Sequence, residues 1–251
     1  MKTKTEQLEE LFCKWEKEHE TESEENYKLT KSPNELVKKD FFERDGIICE
    51  KIFESQRVDG RPLRVLFITA EANVTDPKQP HKTNYKDHYI AYKNSEDGKD
   101  DWKGKMRERI CALYQVVAKQ KPGNFPNEAD KFAVMDLNKR GGGANIGDGK
   151  HIEEYVRIYK ENILRELQII NPTIVIWIGT NTYDMGIPGK LDAKSNGKGL
   201  YFEIDGQQIP IIRMWQTSYY RGRIPSLNGY TNRTIGKLCA KLQQELGKFD
   251  L

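Results

Sequence analysis

The chain predicts an α/β protein: a three-layer α/β/α sandwich around a mostly parallel central sheet of about four or five strands, with helices added at the N-terminus. Three observations carry this expectation. Apolar runs of strand length alternate with segments of helical periodicity. Three of those runs pass directly into polar loops: Arg64–Asn73 (RVLFITAEAN), Phe132–Asn145 (FAVMDLNKRGGGAN) and Ile209–Gly222 (IPIIRMWQTSYYRG). Thr173–Ile178 (TIVIWI) is apolar throughout, as a strand buried on both faces is. Ligands of open α/β sheets bind beyond the carboxyl ends of strands, so the three junctions can assemble one site.

Leu8, Leu11, Phe12 and Trp15 fall at i, i+3, i+4 and i+7 and predict an acidic amphipathic helix packed on the body. Ser32-Pro33-Asn34-Glu35 has the order of an N-cap, a first-turn proline and a capping-box glutamate, so a second helix is expected there. Residues 1–60 are read as a helical extension and 61–251 as one α/β domain. Trp102, Met106, Ile110, Leu113 and Val117 share one helix. Ile152, Tyr155, Tyr159, Ile163, Leu167 and Ile170 share another, which Asn171-Pro172 ends. A strand over Phe132–Leu137 lies between them. Asp205-Gly206, between YFEI and QQIPII, marks a hairpin that gives the third junction's strand an antiparallel neighbour. Ile235, Leu238, Cys239, Leu242 and Leu246 place the last helix, and Val74–Asp101, polar and aperiodic, is a long excursion.

At 251 residues and 37% hydrophobic content the chain can build one sizeable core. No apolar run reaches membrane-spanning length and MKTKTEQLEE lacks the apolar core of a signal peptide, so no membrane is expected and the cytoplasm is the default. Cys13, Cys49, Cys111 and Cys239 are scattered without a CxxC pair, which argues against zinc, an iron–sulfur cluster or a disulfide framework. Four lysines and nine glutamates give residues 1–26 a charge of −5, so of the net +3 the remaining 225 residues carry +8. A basic body suits a polyanionic partner.

Taken in order, the junctions resemble the uracil-DNA glycosylase superfamily over Arg64 to about Gly222. Ala70-Glu71-Ala72-Asn73 is similar to a family loop of the Gly-Glu-Ala-Pro-Gly type. Asp136, Lys139 and Arg140-Gly141-Gly142-Gly143-Ala144-Asn145 resemble a middle motif of an Asn, a Lys and an Arg-Pro-Pro-Gly-Asn loop. TIVIWIGTNTYD resembles the strand that ends in glycine before a short helix, and Gln216-Thr217-Ser218 stands where the family has His-Pro-Ser. Gln216 replaces a histidine, the proline and glycine of the first loop are missing, and the four-cysteine cluster of some branches is absent. These departures place the resemblance on a divergent branch.

The resemblance implies a monofunctional DNA glycosylase that leaves an abasic site and needs no metal or other cofactor. A bulky or hypermodified pyrimidine, such as the glucosylated hydroxymethylcytosine of phage DNA, is favoured over uracil, as in base excision used for antiviral defence. Breaking an N-glycosidic bond builds positive charge on the sugar and negative charge on the base. Glu71 is the expected carboxylate, with Asp136 as rival or helper, and Gln216 the expected donor to the base. Asn73 and Asn138 are candidates for the base edge, and His81 and Tyr85, with His88, Tyr89 and Tyr92, for a roomier pocket. Lys139 and Arg140 with Gly141–Gly143 are candidates for phosphate. Ser218, Tyr219, Tyr220, Arg221, Arg223 and Leu227 are candidates for DNA contact around a flipped nucleotide. Three alternatives stand beside this: a uracil-excising repair glycosylase, a nucleoside hydrolase or deoxyribosyltransferase, and a non-catalytic DNA-binding relative.

Overall fold

A computed structural model describes residues 2–74, 82–94, 102–120, 123–142, 148–178, 180–214 and 233–249. Its elements are, in order, α1 (Lys4–Thr21), α2 (Glu24–Thr30), β1 (Phe42–Arg44), β2 (Gly46–Ile47), α3 (Glu50–Ser55), β3 (Arg57–Val58), β4 (Arg61–Pro62), β5 (Val65–Asn73), β6 (Lys82–Asn84), α4 (Tyr85–Asn94), α5 (Trp102–Val117), β7 (Ala133–Gly142), α6 (Lys150–Ile158), α7 (Lys160–Ile170), β8 (Ile174–Ile178), α8 (Thr180–Asp184), α9 (Ile187–Lys190), β9 (Lys194–Ser195), β10 (Leu200–Ile204), β11 (Gln207–Met214) and α10 (Arg233–Leu246).

Seven strands form the main sheet in the order β2-β7-β5-β8-β11-β10-β9. The middle four, β7, β5, β8 and β11, run parallel, while β2 and the β10-β9 pair add antiparallel contacts at the two margins. Along the chain the parallel strands therefore lie in the spatial order second, first, third, fourth. The connections leaving β5 and β8 diverge, and such a switch point opens a crevice at the carboxyl ends of the two strands.

Alternation along β5 sorts the core into two layers. Leu66 and Ile68 join Leu8, Phe12 and Trp15 of α1, Tyr155 of α6 and Leu167 of α7. Val65 and Phe67 join Tyr89 of α4, Leu113 of α5 and Leu242 of α10. Helices thus flank the sheet on both faces, an arrangement compatible with a three-layer α/β/α fold. The five-residue β8 is buried along its whole length, as its unbroken apolar sequence requires. In the β10–β11 hairpin Asp205 and Gly206 both have positive φ, +49° and +75°, which is the backbone of a tight two-residue turn.

Several expectations are corrected. The sheet has seven strands rather than four or five because β2 and β9, at two residues each, are too short for a periodic signal. The strand expected to stop at Leu137 continues to Gly142. The single helix expected over 152–170 is two, broken at Tyr159 (φ −105°, ψ 21°), whose hydroxyl donates to Glu22 Oε2 at 2.9 Å. No helix starts at residues 32–35, which are irregular up to a turn at 35–36, and Asn34 turns its amide onto the main chain elsewhere, donating to the carbonyls of Val74 and Gly142 at 2.9 Å each. Within Val74–Asp101, the described residues form β6 and α4.

The N-terminal segment is no appendage. Thr3 and Glu6 close a capping box on α1, and Leu8, Phe12 and Trp15 are fully buried. The stretch that follows supplies β2 to the main sheet. Burial of a large apolar side chain is worth about 1.5–3 kcal/mol against a typical total stability of about 5–15 kcal/mol. Deleting residues 1–26 is therefore expected to leave no cooperatively folded protein, and Trp15→Ala to cost about 3–5 kcal/mol in urea unfolding; a truncated chain with an unchanged melting transition would contradict this packing.

Candidate active site at the carboxyl ends of the central strands

In the parallel pair β5–β7, Thr69 lies opposite Asp136 and Glu71 opposite Asn138, with a register shift between Glu71 and Asn73. Residues two apart share a face of the sheet, so these four side chains form a polar ladder at the end of an otherwise apolar strand pair. Glu71 sits within β5 rather than in a loop after it. The Asn73 backbone ends the strand opposite Gly142; its side chain lies outside the described residues.

The Glu71 side chain is only 1% exposed. Its Oε2 accepts from Asn138 Nδ2 at 3.1 Å and lies 3.0 Å from His151 Nε2. An imidazole facing a carboxylate donates from the nearer nitrogen, so Nε2 carries the proton in this contact. Oε1 has no hydrogen-bond partner among the described residues. Gly142 packs directly under the carboxylate: a Cβ at that position would overlap it. Asn138 is spent inside the protein, its Oδ1 accepting from the Arg140 amide at 3.0 Å while its amide holds Glu71. It therefore positions Glu71, in place of the base-edge role expected from sequence.

Asp136 is 1% exposed. Thr69 Oγ1 donates to its Oδ1, while Oδ2 has no partner among the described residues. Burial, and then the charges of Asp45 and Glu71, raise its pKa to about 7 against the opposing Thr69 hydrogen bond and Lys139. Tyr85, the first residue of α4, is half-buried, feels the Asp136 charge and is pushed well up, mainly by desolvation. Its ring packs on Tyr89 at 5.3 Å and meets His88 edge-on at 6.4 Å.

Lys139 and Arg140 are corrected outright: both are fully buried. Lys139 Nζ lies 2.6 Å from Asp45 and 2.9 Å from Glu166, all three without exposure. Arg140 pairs with Glu22 and donates to Thr30 Oγ1 at 3.1 Å and to the Lys39 carbonyl at 3.0 Å. Neither faces a phosphate. The adjoining glycines are likewise structural, since Gly141 has φ +70° and a Cβ there would press on Phe41 and Val74 at 2.9 Å. Gln216, Ser218, Tyr219, Tyr220, Arg221, Arg223, Leu227, His81, and Gly143–Asn145 lie outside the described residues. The segment holding Gln216 starts immediately after β11, at the same edge of the sheet as Glu71.

His151, Thr69 and Asp45 escaped sequence reasoning. His151 had one readable signal: it precedes Ile152, the first core position of its helix, and directly follows the glycine-rich junction. No family model matches the chain, and no curated protein aligns with it significantly. Among the described residues no helix is long and apolar enough to cross a membrane, and no group of three or more His, Cys, Asp or Glu is placed to hold a metal ion.

Two outcomes are expected. Gly142→Ala displaces Glu71, so the variant should lose stability or site geometry in a way that Gly60→Ala, in open space, does not; thermal melts of the two would show it. For Asp136, a folded pKa near 7 lies above the unfolded value of about 3.9. Its contribution to stability is present below pH 4 and is lost as pH rises through about 7. Asp136→Asn should therefore gain on the wild type between pH 5 and pH 8 by at least about 1.4 kcal/mol, the worth of one pH unit, in urea unfolding. An equal pH dependence in both proteins would refute the assignment.

Proposed function

We propose that this chain is a monofunctional DNA glycosylase with a uracil-DNA glycosylase-like sandwich, acting on a bulky or hypermodified pyrimidine such as glucosylated hydroxymethylcytosine. The observation that carries the reading is Glu71, near the carboxyl end of β5: one oxygen is fixed by Asn138 and His151, and the other is buried without a partner among the described residues. A carboxylate so held suits an N-glycosidic bond, where positive charge grows on the sugar as the base departs.

In this mechanism Glu71 Oε1 accepts a proton from water as the water oxygen bonds C1′ and the C1′–N1 bond breaks. The base leaves with the bonding electron pair and is protonated by solvent. Gln216, a neutral donor at the start of the segment after β11, steadies the charge on the departing base. The ordered recurrence of three strand-to-polar junctions supports the superfamily reading, and the missing histidine and first-loop proline support a substrate other than uracil. Excision of such a base from phage DNA would make the protein an antiviral defence enzyme, with DNA as its partner.

The test is base release from DNA carrying uracil, hydroxymethylcytosine or its glucosylated forms, read by scission at abasic sites and mass spectrometry of the freed base. Release from one substrate is expected, falling about 10²–10⁴-fold in Glu71→Gln. Free nucleosides serve as the control: turnover of nucleosides without release from DNA would favour a nucleoside hydrolase, and DNA binding without release a non-catalytic relative.

A further inference from the structure

We propose that His151 is the positioning residue of this site, orienting Glu71 so that Oε2 is held and Oε1 is delivered to the reacting centre. The kinetic part of this inference rests on the glycosylase reading; the pairing itself does not.

His151 comes from a different layer of the protein than Glu71. It lies in the first turn of α6, whose Ile152, Tyr155 and Val156 are buried against the sheet, so a docked helix sets the ring's position. The imidazole is 8% exposed and the carboxylate 1%, which removes most of the water that would otherwise compete for their contact. Glu71 is thereby pinned from two directions, by Asn138 across the strand pair and by His151 from the helix layer. Both donors act on the same oxygen. Two donors shared between the two oxygens would satisfy the carboxylate and leave it inert, whereas loading Oε2 alone leaves Oε1 as a buried acceptor without a partner among the described residues. Such an atom is costly unless something else fills it. A water or a substrate hydroxyl fits that description. Gly142 makes room for the carboxylate on its Oε1 side, where a Cβ would overlap that oxygen first. Among the described residues, the charged groups that face the ring are Glu71 from β5 and Asp148 from the turn before α6.

Two readouts test the proposal. The first is kinetic: His151→Ala should lower kcat for base release about 10²-fold, the scale of a misplaced catalytic group, with KM for DNA within about threefold. His151→Gln, which keeps a donor, should recover at least about a tenth of the wild-type rate. The second uses the full chain without substrate: ¹⁵N-imidazole NMR should show His151 with its proton on Nε2, and Glu71→Gln should move that N–H signal upfield, because an amide oxygen is a weaker acceptor than a carboxylate. Wild-type kcat in His151→Ala, a loss seen only in KM, or a His151 Nε2–H signal unmoved by Glu71→Gln would each overturn the positioning role. A wild-type chain that releases no base from any substrate defeats the glycosylase reading alone, and the Nε2–H signal then decides the pairing by itself.

Discussion

The structure depends on two consecutive cations buried in one strand. Lys139 and Arg140 are neighbours in β7, and each draws in a separate part of the chain. Lys139 gathers Asp45, beside the edge strand β2, and Glu166 of α7, under the rings of Phe12 and Trp15 at 5.6 and 5.5 Å. Burial alone would lower the ammonium's pKa, but Asp45 and Glu166 outweigh it and hold it raised. Burial and then Asp45 push Glu166 well above the carboxylate range. Arg140 gathers Glu22, Thr30 and the Lys39 carbonyl, and lies over the Tyr27 ring at 5.3 Å. Burial and the neighbouring guanidinium hold His19 well below its ordinary value, which keeps it neutral against the Tyr155 hydroxyl at 2.8 Å. Buried pairs of this kind add little net stability over an apolar core, yet losing one partner costs about 3–5 kcal/mol. Their effect is to make one docking of the N-terminal segment far better than any other.

The candidate site inherits its rigidity from that docking. Asn138 precedes the two cations in β7, and its side chain is locked by the Arg140 amide. Asn34, held in the turns beyond α2, clamps the ends of β5 and β7 by bonding the carbonyls of Val74 and Gly142. The backbone on either side of Glu71 is thus fixed by residues that come from the first forty positions of the chain. A carboxylate buried to 1%, with one oxygen unpartnered among the described residues, is sustained only where its surroundings cannot relax to satisfy it.

Elements with a strong period were legible in the sequence, as was the strand that leads to Glu71, although Glu71 lies within it and not in a loop beyond. The helices carrying Trp15, Leu113 and Leu242 and the buried strand β8 follow directly from apolar spacing, and Asp205-Gly206 from its turn chemistry. What could not be read has a common physical cause: side chains whose partners are distant in sequence. Lys139 and Arg140 beside three glycines look like a solvent-facing anion loop, since charged residues are almost never fully buried unless paired. Their partners lie 94 and 118 residues upstream, at Asp45 and Glu22. The Ser-Pro-Asn-Glu signature at 32–35 failed for a similar reason: Asn34, which would sit in the first turn of that helix, instead donates to two carbonyls across the fold. His151 is a lone histidine on an amphipathic helix until Glu71, 80 residues earlier, is brought to it.

The charge asymmetry that first suggested a polyanionic partner is largely used up within the fold. Glu9 meets Arg44 at 2.6 Å and Lys86 at 2.9 Å, and Glu16 meets Arg44 at 2.8 Å and Lys82 at 3.1 Å. Glu22 and Glu24 take Arg140 and Lys39. The acidic helices thus neutralise five cations of the basic body, and exposed pairs among them add little stability while cancelling the field that would attract DNA. Arg213, near the end of β11, is likewise bonded to Asp184 at 2.5 Å and stacked over Tyr183. The DNA contact proposed above would have to draw on other cations. Arg221 and Arg223, candidates for it from the sequence, follow β11 along the chain and take part in none of these pairs.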